Sequence, residues 1–267
     1  GNFSEIGSDL VTNGDFSAAG SNLVSNPNFT DGVEQLTQPI DLTIDFVTNA
    51  GGVIVDANTF TTAGGSVDGI ANKAANFNLI DGKSYKLVIA GTTTSSGFTV
   101  GSYSYGDEYG TGFGTHYFVA SGTQATRLWI RQITAGTTDL TTFTIEELGA
   151  DWTLGTGWSI GEDKAICDGT QTVQSNLYQT GIVPINKSYK AVFDIVVDAG
   201  GMVIGIGGSN EQPIISATGT YTLYSMATSG DSNFYFAANS TFVGSVTNVS
   251  VQELGEGWTV QTGWSIG

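Results

Sequence analysis

The strongest constraint on this chain is that it repeats itself. Lys83-Ser84-Tyr85-Lys86 recurs 104 residues later as Lys187-Ser188-Tyr189-Lys190. Gly114-Thr115 ahead of His116-Tyr117-Phe118 matches Gly219-Thr220 ahead of Tyr221-Thr222-Leu223, 105 residues on. Leu128-Trp129-Ile130 matches Phe234-Tyr235-Phe236, and Phe143 to Gly149 matches Val249 to Gly255, both at a spacing of 106. Four matches in chain order at nearly one spacing imply two homologous domains. The boundary falls at Leu148-Gly149-Ala150. The chain therefore divides into opening strands (1–29), a first domain (30–149), a second domain (150–256) and a terminal stretch (257–267).

Each domain reads as all-β. In the second, strands are expected near 152–160, 164–167, 176–180, 188–197, 201–206, 219–227, 233–237 and 245–253, separated by turn residues at the intervals of a sandwich. In the first, Leu42, Ile44 and Phe46 alternate with Asp41, Thr43 and Asp45, which predicts a half-buried strand. Helical periodicity is weak everywhere, residues 68–78 being the one ambiguous stretch. The four prolines fall at strand margins. The fold expected is two tandem β-sandwich domains, jelly-roll-like, with a terminal strand donated to a neighbour.

That last expectation rests on parity. Trp258, Val260, Thr262, Trp264 and Ile266 share one face of the terminal stretch, and the same strand occurs earlier as Trp152, Leu154, Thr156, Trp158 and Ile160. Two tryptophans with Val260 and Ile266 make a face of about 500 Å², worth on the order of 10 kcal/mol gross at ~25 cal/mol/Å². The first domain shows no evident copy of this Trp strand, so it is the expected acceptor, and donor-strand pairing of this kind propagates head-to-tail. The alternative is that 257–267 begins a third domain. A second, shorter repeat opens the chain. Asp9-Leu10-Val11-Thr12-Asn13-Gly14-Asp15-Phe16 is echoed by Asn22-Leu23-Val24-Ser25-Asn26-Pro27-Asn28-Phe29, yet no such opening precedes the second domain.

Charge and composition exclude several functions. The net charge is −17, and the 8 basic residues form no cluster, so neither nucleic acid nor an anionic membrane has a counter-surface. No run approaches the ~18 apolar residues of a membrane helix. Cys167 is the only cysteine and reads as a small buried hydrophobe. His116 is the only histidine and reads as a strand residue; with one Cys and one His a zinc site of four such ligands cannot be built. The Gly-rich run 205–209 lacks the lysine of a phosphate loop. No acid/base motif appears, so an enzyme is not expected.

The opening Leu-Val-x-Asn-Gly-Asp-Phe (10–16) resembles the start of jelly-roll carbohydrate-binding modules of the galactose-binding-like type. The run Trp152 to Ala165, with Val249 to Leu254, is similar to tandem modules of phage and environmental bacterial fibre and surface proteins. The resemblance implies sugar binding by exposed aromatics, for which Tyr103, Tyr105, Tyr109, Phe113 and Tyr117 qualify, with Asp107 and Glu108 bonding hydroxyls. The plainer reading of that Tyr- and Gly-rich stretch is a surface loop or an inter-subunit contact. It also implies a structural calcium, with Asp15, Asp31, Glu146 and Glu147 as oxygen donors; no other cofactor is expected. Two functions follow. One is a structural subunit of an extracellular or virion-associated fibre, partnered by copies of itself. The other is a carbohydrate-binding adhesin partnered by glycans. Both place the protein outside the cell, on a cell surface or on a virion.

Overall fold

The structure, a computed structural model, describes residues 19–35, 39–64, 68–73, 79–102, 107–121, 127–208, 213–228 and 232–255. Tyr103, Tyr105, Asp15 and the terminal strand Trp258 to Ile266 lie outside the described residues. Two compact units emerge. One holds residues 29–150 and 159–164; the other holds, of the described residues, 19–28, 151–158 and those from 165 onward. Each is a β-sandwich of antiparallel sheets.

Strand β1 (Ala19–Asn22) belongs to the second unit. The first sandwich holds β2 (Gly32–Glu34), helix α1 (Leu42–Asp45), β3 (Phe46–Asn49), β4 (Gly52–Ile54), β5 (Thr59–Thr62), β6 (Gly69–Asn72), β7 (Ser84–Thr93), β8 (Phe98–Ser102), β9 (Glu108–Thr111), β10 (Gly114–Val119), β11 (Leu128–Gln132) and β12 (Gly136–Leu148). One sheet runs β10-β7-β12-β5-β4, with β2 also on β12; the other runs β3-β6-β11-β8-β9. Phe46, Phe60, Leu87, Phe98, Ile130 and Phe143 fill the space between them.

To the sheets of the second sandwich belong β13 (Thr153–Leu154), β14 (Trp158–Gly161), β15 (Lys164–Cys167), β16 (Ser175–Gln179), β17 (Ser188–Ala199), β18 (Met202–Ile206), β19 (Gly219–Met226), β20 (Phe234–Ala238) and β21 (Val243–Leu254). Its sheets are β14-β15-β21-β17-β19, with β1 on β21, and β13-β16-β20-β18. From β16 onward each strand lies in the opposite sheet to the one before it, the order of a jelly roll. Strand for strand the two sandwiches correspond, with β9 extra in the first.

The repeated motifs are structural. Lys83 pairs with Glu147 at 3.5 Å, and Lys187 with Glu253 at 2.6 Å, the same pair in each sandwich. Partly exposed pairs of this kind are worth no more than ~1 kcal/mol, so their contribution is to register rather than to stability. Tyr85 and Tyr189 are fully buried between the sheets. The Tyr189 hydroxyl donates to the Pro184 carbonyl at 2.8 Å, and that of Tyr85 accepts from the Ile80 amide at 2.8 Å. Burial pushes both phenols up, so they stay neutral donors or acceptors at any ordinary pH. Cys167 is buried, and burial raises its thiol as well.

Two strand expectations are corrected. Leu42 to Asp45 form one turn of helix, because Asp41 caps it: its carboxylate accepts from the Thr43 amide at 2.9 Å and hydroxyl at 2.6 Å. Leu42 and Phe46 are buried as alternation requires, but Ile44 is 59% exposed. The stretch 152–160 is not one strand. It breaks at Gly155-Thr156-Gly157, where Gly157 takes φ +82° and the Trp158 amide donates to the Gly155 carbonyl at 3.1 Å. Hence β13 and β14 lie in different sheets, and Trp152 and Trp158 are both buried.

The expected acceptor is also corrected. The first sandwich does not lack this corner. Phe46 stands 106 residues before Trp152, and β3 and β4 occupy the places of β13 and β14. Phe46 is 1% exposed and meets Phe143 edge-on at 5.6 Å. Phenylalanine replaces one tryptophan and Gly52 the other, which hid the repeat. Gly52 has no room for a side chain, since a Cβ would sit 1.9 Å from the Gly69 carbonyl oxygen. The vacancy that a donated terminal strand was to fill is occupied by the chain itself.

Phe46→Ala and Trp152→Ala should each cost ~3–5 kcal/mol of the stability of their own sandwich. Urea titration followed by hydrogen exchange in each sandwich checks this. An unchanged first sandwich in Phe46→Ala would show that another residue closes its corner.

Candidate functional site

A cavity of about 410 Å³ opens on the second sandwich, between β13, the turn 155–157, the loop 171–174 and β16. Its walls are fixed by buried polar bonds. Gln171, 2% exposed, donates through Nε2 to the carbonyls of Asn239 at 3.0 Å and Phe242 at 2.8 Å. Asp168 folds the preceding turn by accepting from the Thr170 amide at 2.9 Å and hydroxyl at 2.7 Å. Ser175 Oγ donates to the Thr156 carbonyl at 2.7 Å, and the Trp158 indole to that of Ser175 at 3.2 Å. Gly155 is needed where it stands, because a Cβ would lie 2.4 Å from Ser175 Oγ.

The lining is uncharged and mixed: Thr153, Thr156, Gln174, Asn176 and Tyr178 carry its polar groups beside Leu154 and Val173, the latter 71% exposed. Alternation along β16 turns Leu177 into the core and Asn176 and Tyr178 outward. Across the sheet Thr153, Tyr178, Tyr235 and Gly205 form one row. The Tyr235 ring lies over Gly205, where a Cβ would fall 1.9 Å from its Cζ. Asn176 Oδ1 is buried and has no hydrogen-bond partner. A buried acceptor left unpaired costs ~1–3 kcal/mol.

The described residues among those singled out from the sequence, Asp107, Glu108, Tyr109, Phe113 and Tyr117, each have partners within the first sandwich. Tyr109 faces the core at 7% exposure, stacks on Phe118 at 4.1 Å, and accepts from the Ser121 amide at 3.4 Å. It belongs to a strand, β9, rather than to an exposed loop, so it offers no free ring face; burial raises its phenol. Phe113, 36% exposed, packs edge-on against buried Phe98 at 4.9 Å. Asp107 exchanges backbone bonds with Ser102, its carbonyl accepting at 2.9 Å and its amide donating to Ser102 Oγ at 3.2 Å. Glu108 accepts from the Thr111 hydroxyl at 2.6 Å. Tyr117 is half-buried on β10, opposite Lys86 of β7. His116 Nε2 lies 3.0 Å from the Gly112 carbonyl, and its ring covers Gly110, a packing role.

Of the calcium candidates, Glu146 and Glu147 face Lys86 and Lys83 at 3.9 and 3.5 Å, and Asp31 accepts from the Thr30 hydroxyl at 3.4 Å. Among the described residues no three His, Cys, Asp or Glu side chains gather as a metal site would require, and no helix is long and apolar enough to cross a membrane. The groove was missed because its residues are unremarkable singly. The one signal was the pair Asn176 and Tyr178, both outward by parity on a strand that needs only Leu177 for the core.

No family model and no curated protein matches the chain. Among solved structures, the N-terminal CBM22-1-CBM22-2 tandem domain of Paenibacillus barcinonensis Xyn10C is 9% identical, covering 83% of this chain and 98% of its own, with a TM-score of 0.30. AerE from Microcystis aeruginosa is 9% identical over 79% of this chain and 98% of its own, with a TM-score of 0.16. At such scores neither bears on the function, and the tandem β-sandwich reading stands on the sheets themselves.

Proposed function

We propose that this protein binds carbohydrate, and that the groove of the second sandwich holds a neutral oligosaccharide. The observation that carries this is the buried, unpartnered Asn176 Oδ1 in an uncharged, amide- and hydroxyl-lined groove. A sugar hydroxyl supplies the missing donor, while Tyr178 offers an apolar face with a polar tip. An anionic sugar is disfavoured twice, by an acceptor facing it and by the protein's charge of −17. The volume suits a few sugar units, at the small end of the ~300–1,000 Å³ of ligand sites. Such a role sets the protein outside the cell, on a surface or a virion.

Glycan-array screening followed by calorimetry tests this. Neutral oligosaccharides should bind, and Asn176→Ala or Tyr178→Ala should weaken them about tenfold or more, the loss of one well-made contact. Binding that ignores both changes would place the ligand elsewhere.

Asn176→Val should separate binding from folding. It removes an unpaired buried acceptor from a strand position that favours a β-branched residue. Stability should rise by about 1 kcal/mol while glycan binding is lost. A loss of stability would mean that Asn176 serves the fold.

A further inference from the structure

One long edge of the second sandwich is open. Strand β19 ends its sheet and pairs on one side only, with β17, from Gly219 opposite Ile195 to Met226 opposite Ser188 without a bulge. The Ala227 amide donates to the Lys187 carbonyl at 2.9 Å, which fixes the phase of the ladder. Backbone bonds alternate along an antiparallel pair. Tyr221, Leu223 and Ser225 therefore turn their amides and carbonyls towards β17, and Thr220, Thr222 and Tyr224 turn theirs away from it. Among the described residues no backbone group bonds that outer side of Thr220, Thr222 or Tyr224.

Edges of this length are ordinarily blunted by a lysine, a proline, a bulge or a covering element. Residues 219–226 carry no charge and no proline, in a chain of net charge −17. The first sandwich shows what a cover looks like. There His116 and Phe118 stand opposite Leu87 and Tyr85, on the core side of β10. The extra strand β9 lies over them: a Cβ on Gly110 would fall 2.5 Å from the His116 ring, and Tyr109 stacks on Phe118 at 4.1 Å. In the second sandwich the corresponding places, opposite Ala191 and Tyr189, belong to Leu223 and Ser225, with Tyr221 beside them opposite Phe193. No counterpart of β9 exists there among the described residues, and Tyr221, Leu223 and Ser225 are each partly exposed.

We propose that this edge pairs with the same edge of a second copy, β19 against β19, about a two-fold axis at Thr222. The strand sets its own register, because outward backbone must meet outward backbone. Thr220, Thr222 and Tyr224 are the residues available, Met226 having a partner within its own chain. With Thr222 opposite itself, Thr220 stands opposite Tyr224 and about six backbone bonds form. On the core side Tyr221 of each copy meets Leu223 of the other, closing the places that β9 closes in the first sandwich. On the outer side each Tyr224 packs across a threonine, a favourable cross-strand pair.

Sedimentation of the full chain across ~1–500 μM tests this, a range suited to a contact at the small end of specific interfaces. The protein should pass from monomer to dimer. Thr222→Pro removes an amide that β17 does not use, and Thr222→Lys sets like charges opposite each other. Each should weaken dimerisation about tenfold or more while the monomer stays folded. Thr222→Cys should give a disulfide-linked dimer in a glutathione redox buffer, since the facing Cα atoms stand ~5.5 Å apart. The native Cys167 is buried and does not compete. Thr220→Cys, opposite Tyr224, should cross-link far more slowly. A chain monomeric throughout would leave the edge to a strand of another partner and overturn the proposal. So would a dimer indifferent to both the proline and the lysine change, or cross-linking through position 220 as fast as through 222.

Discussion

Both sandwiches depend on one antiparallel ladder, between the strand carrying the repeated Lys-Ser-Tyr-Lys and the last strand of the domain. In the second sandwich β17 and β21 pair from Ser188 opposite Leu254 to Ala199 opposite Val243; in the first, β7 and β12 pair from Ser84 opposite Leu148 to Thr93 opposite Thr138. Every other strand of that sheet attaches to one of these two, except the outermost β4 and β14, which pair with β5 and β15. The opening strand and the β5 or β15 strand take the free edge of the last strand at different levels. A slip of one residue would turn Tyr189 outward and Lys190 inward. The Lys187–Glu253 pair, like Lys83–Glu147, resists that slip because it forms only in the native register.

The ladder also explains why chain order and spatial order disagree. The last strand ends with an unpaired edge, and any extended segment can complete it by backbone bonds alone. In the first sandwich the local β2 does so. In the second, β1 reaches it from more than 220 residues away in sequence, as the Asn22 bond to Val249 shows.

How much of this was legible in the sequence follows from the same physics. Long strands with strict alternation, such as 188–197, were readable because the core demands every second residue; β17 runs Ser188–Ala199. The repeat was readable where one residue type is irreplaceable, as with buried Tyr85 and Tyr189 between the sheets. It was not readable across 46–54. There, bulk is required at Phe46 and forbidden at Gly52, and different residues meet those demands from the ones at Trp152 and Trp158. Alternation also misled at 41–46, since a capped helical turn buries Leu42 and Phe46 as a strand would. Tyr109 was misplaced because a glycine-rich neighbourhood reads as a loop, whereas those glycines flank the extra strand β9. The groove was least legible of all: a cavity is made by what its neighbours leave empty.

That emptiness can be traced to a few differences between the copies. The first sandwich has a row equivalent to Thr153, Tyr178, Tyr235 and Gly205, and it reads Val47, Ala71, Trp129 and Gly101. Beside it, Arg131 lies opposite Gly69 in the first sandwich where Ala237 lies opposite Asn176 in the second. The Arg131 guanidinium sits 5.0 Å over the Trp129 ring, and Trp129 is 1% exposed. Bulk and a cation close that face, and β6 is buried at every position, on both of its sides. In the second copy the middle strand keeps a large residue, Tyr235, but carries Ala237 in place of Arg131, and its neighbour carries Tyr178 and Asn176 in place of Ala71 and Gly69. Tyr178 and Asn176 line the cavity there. The groove, rather than either sandwich as a whole, is thus the difference between the copies on which the proposed carbohydrate binding rests.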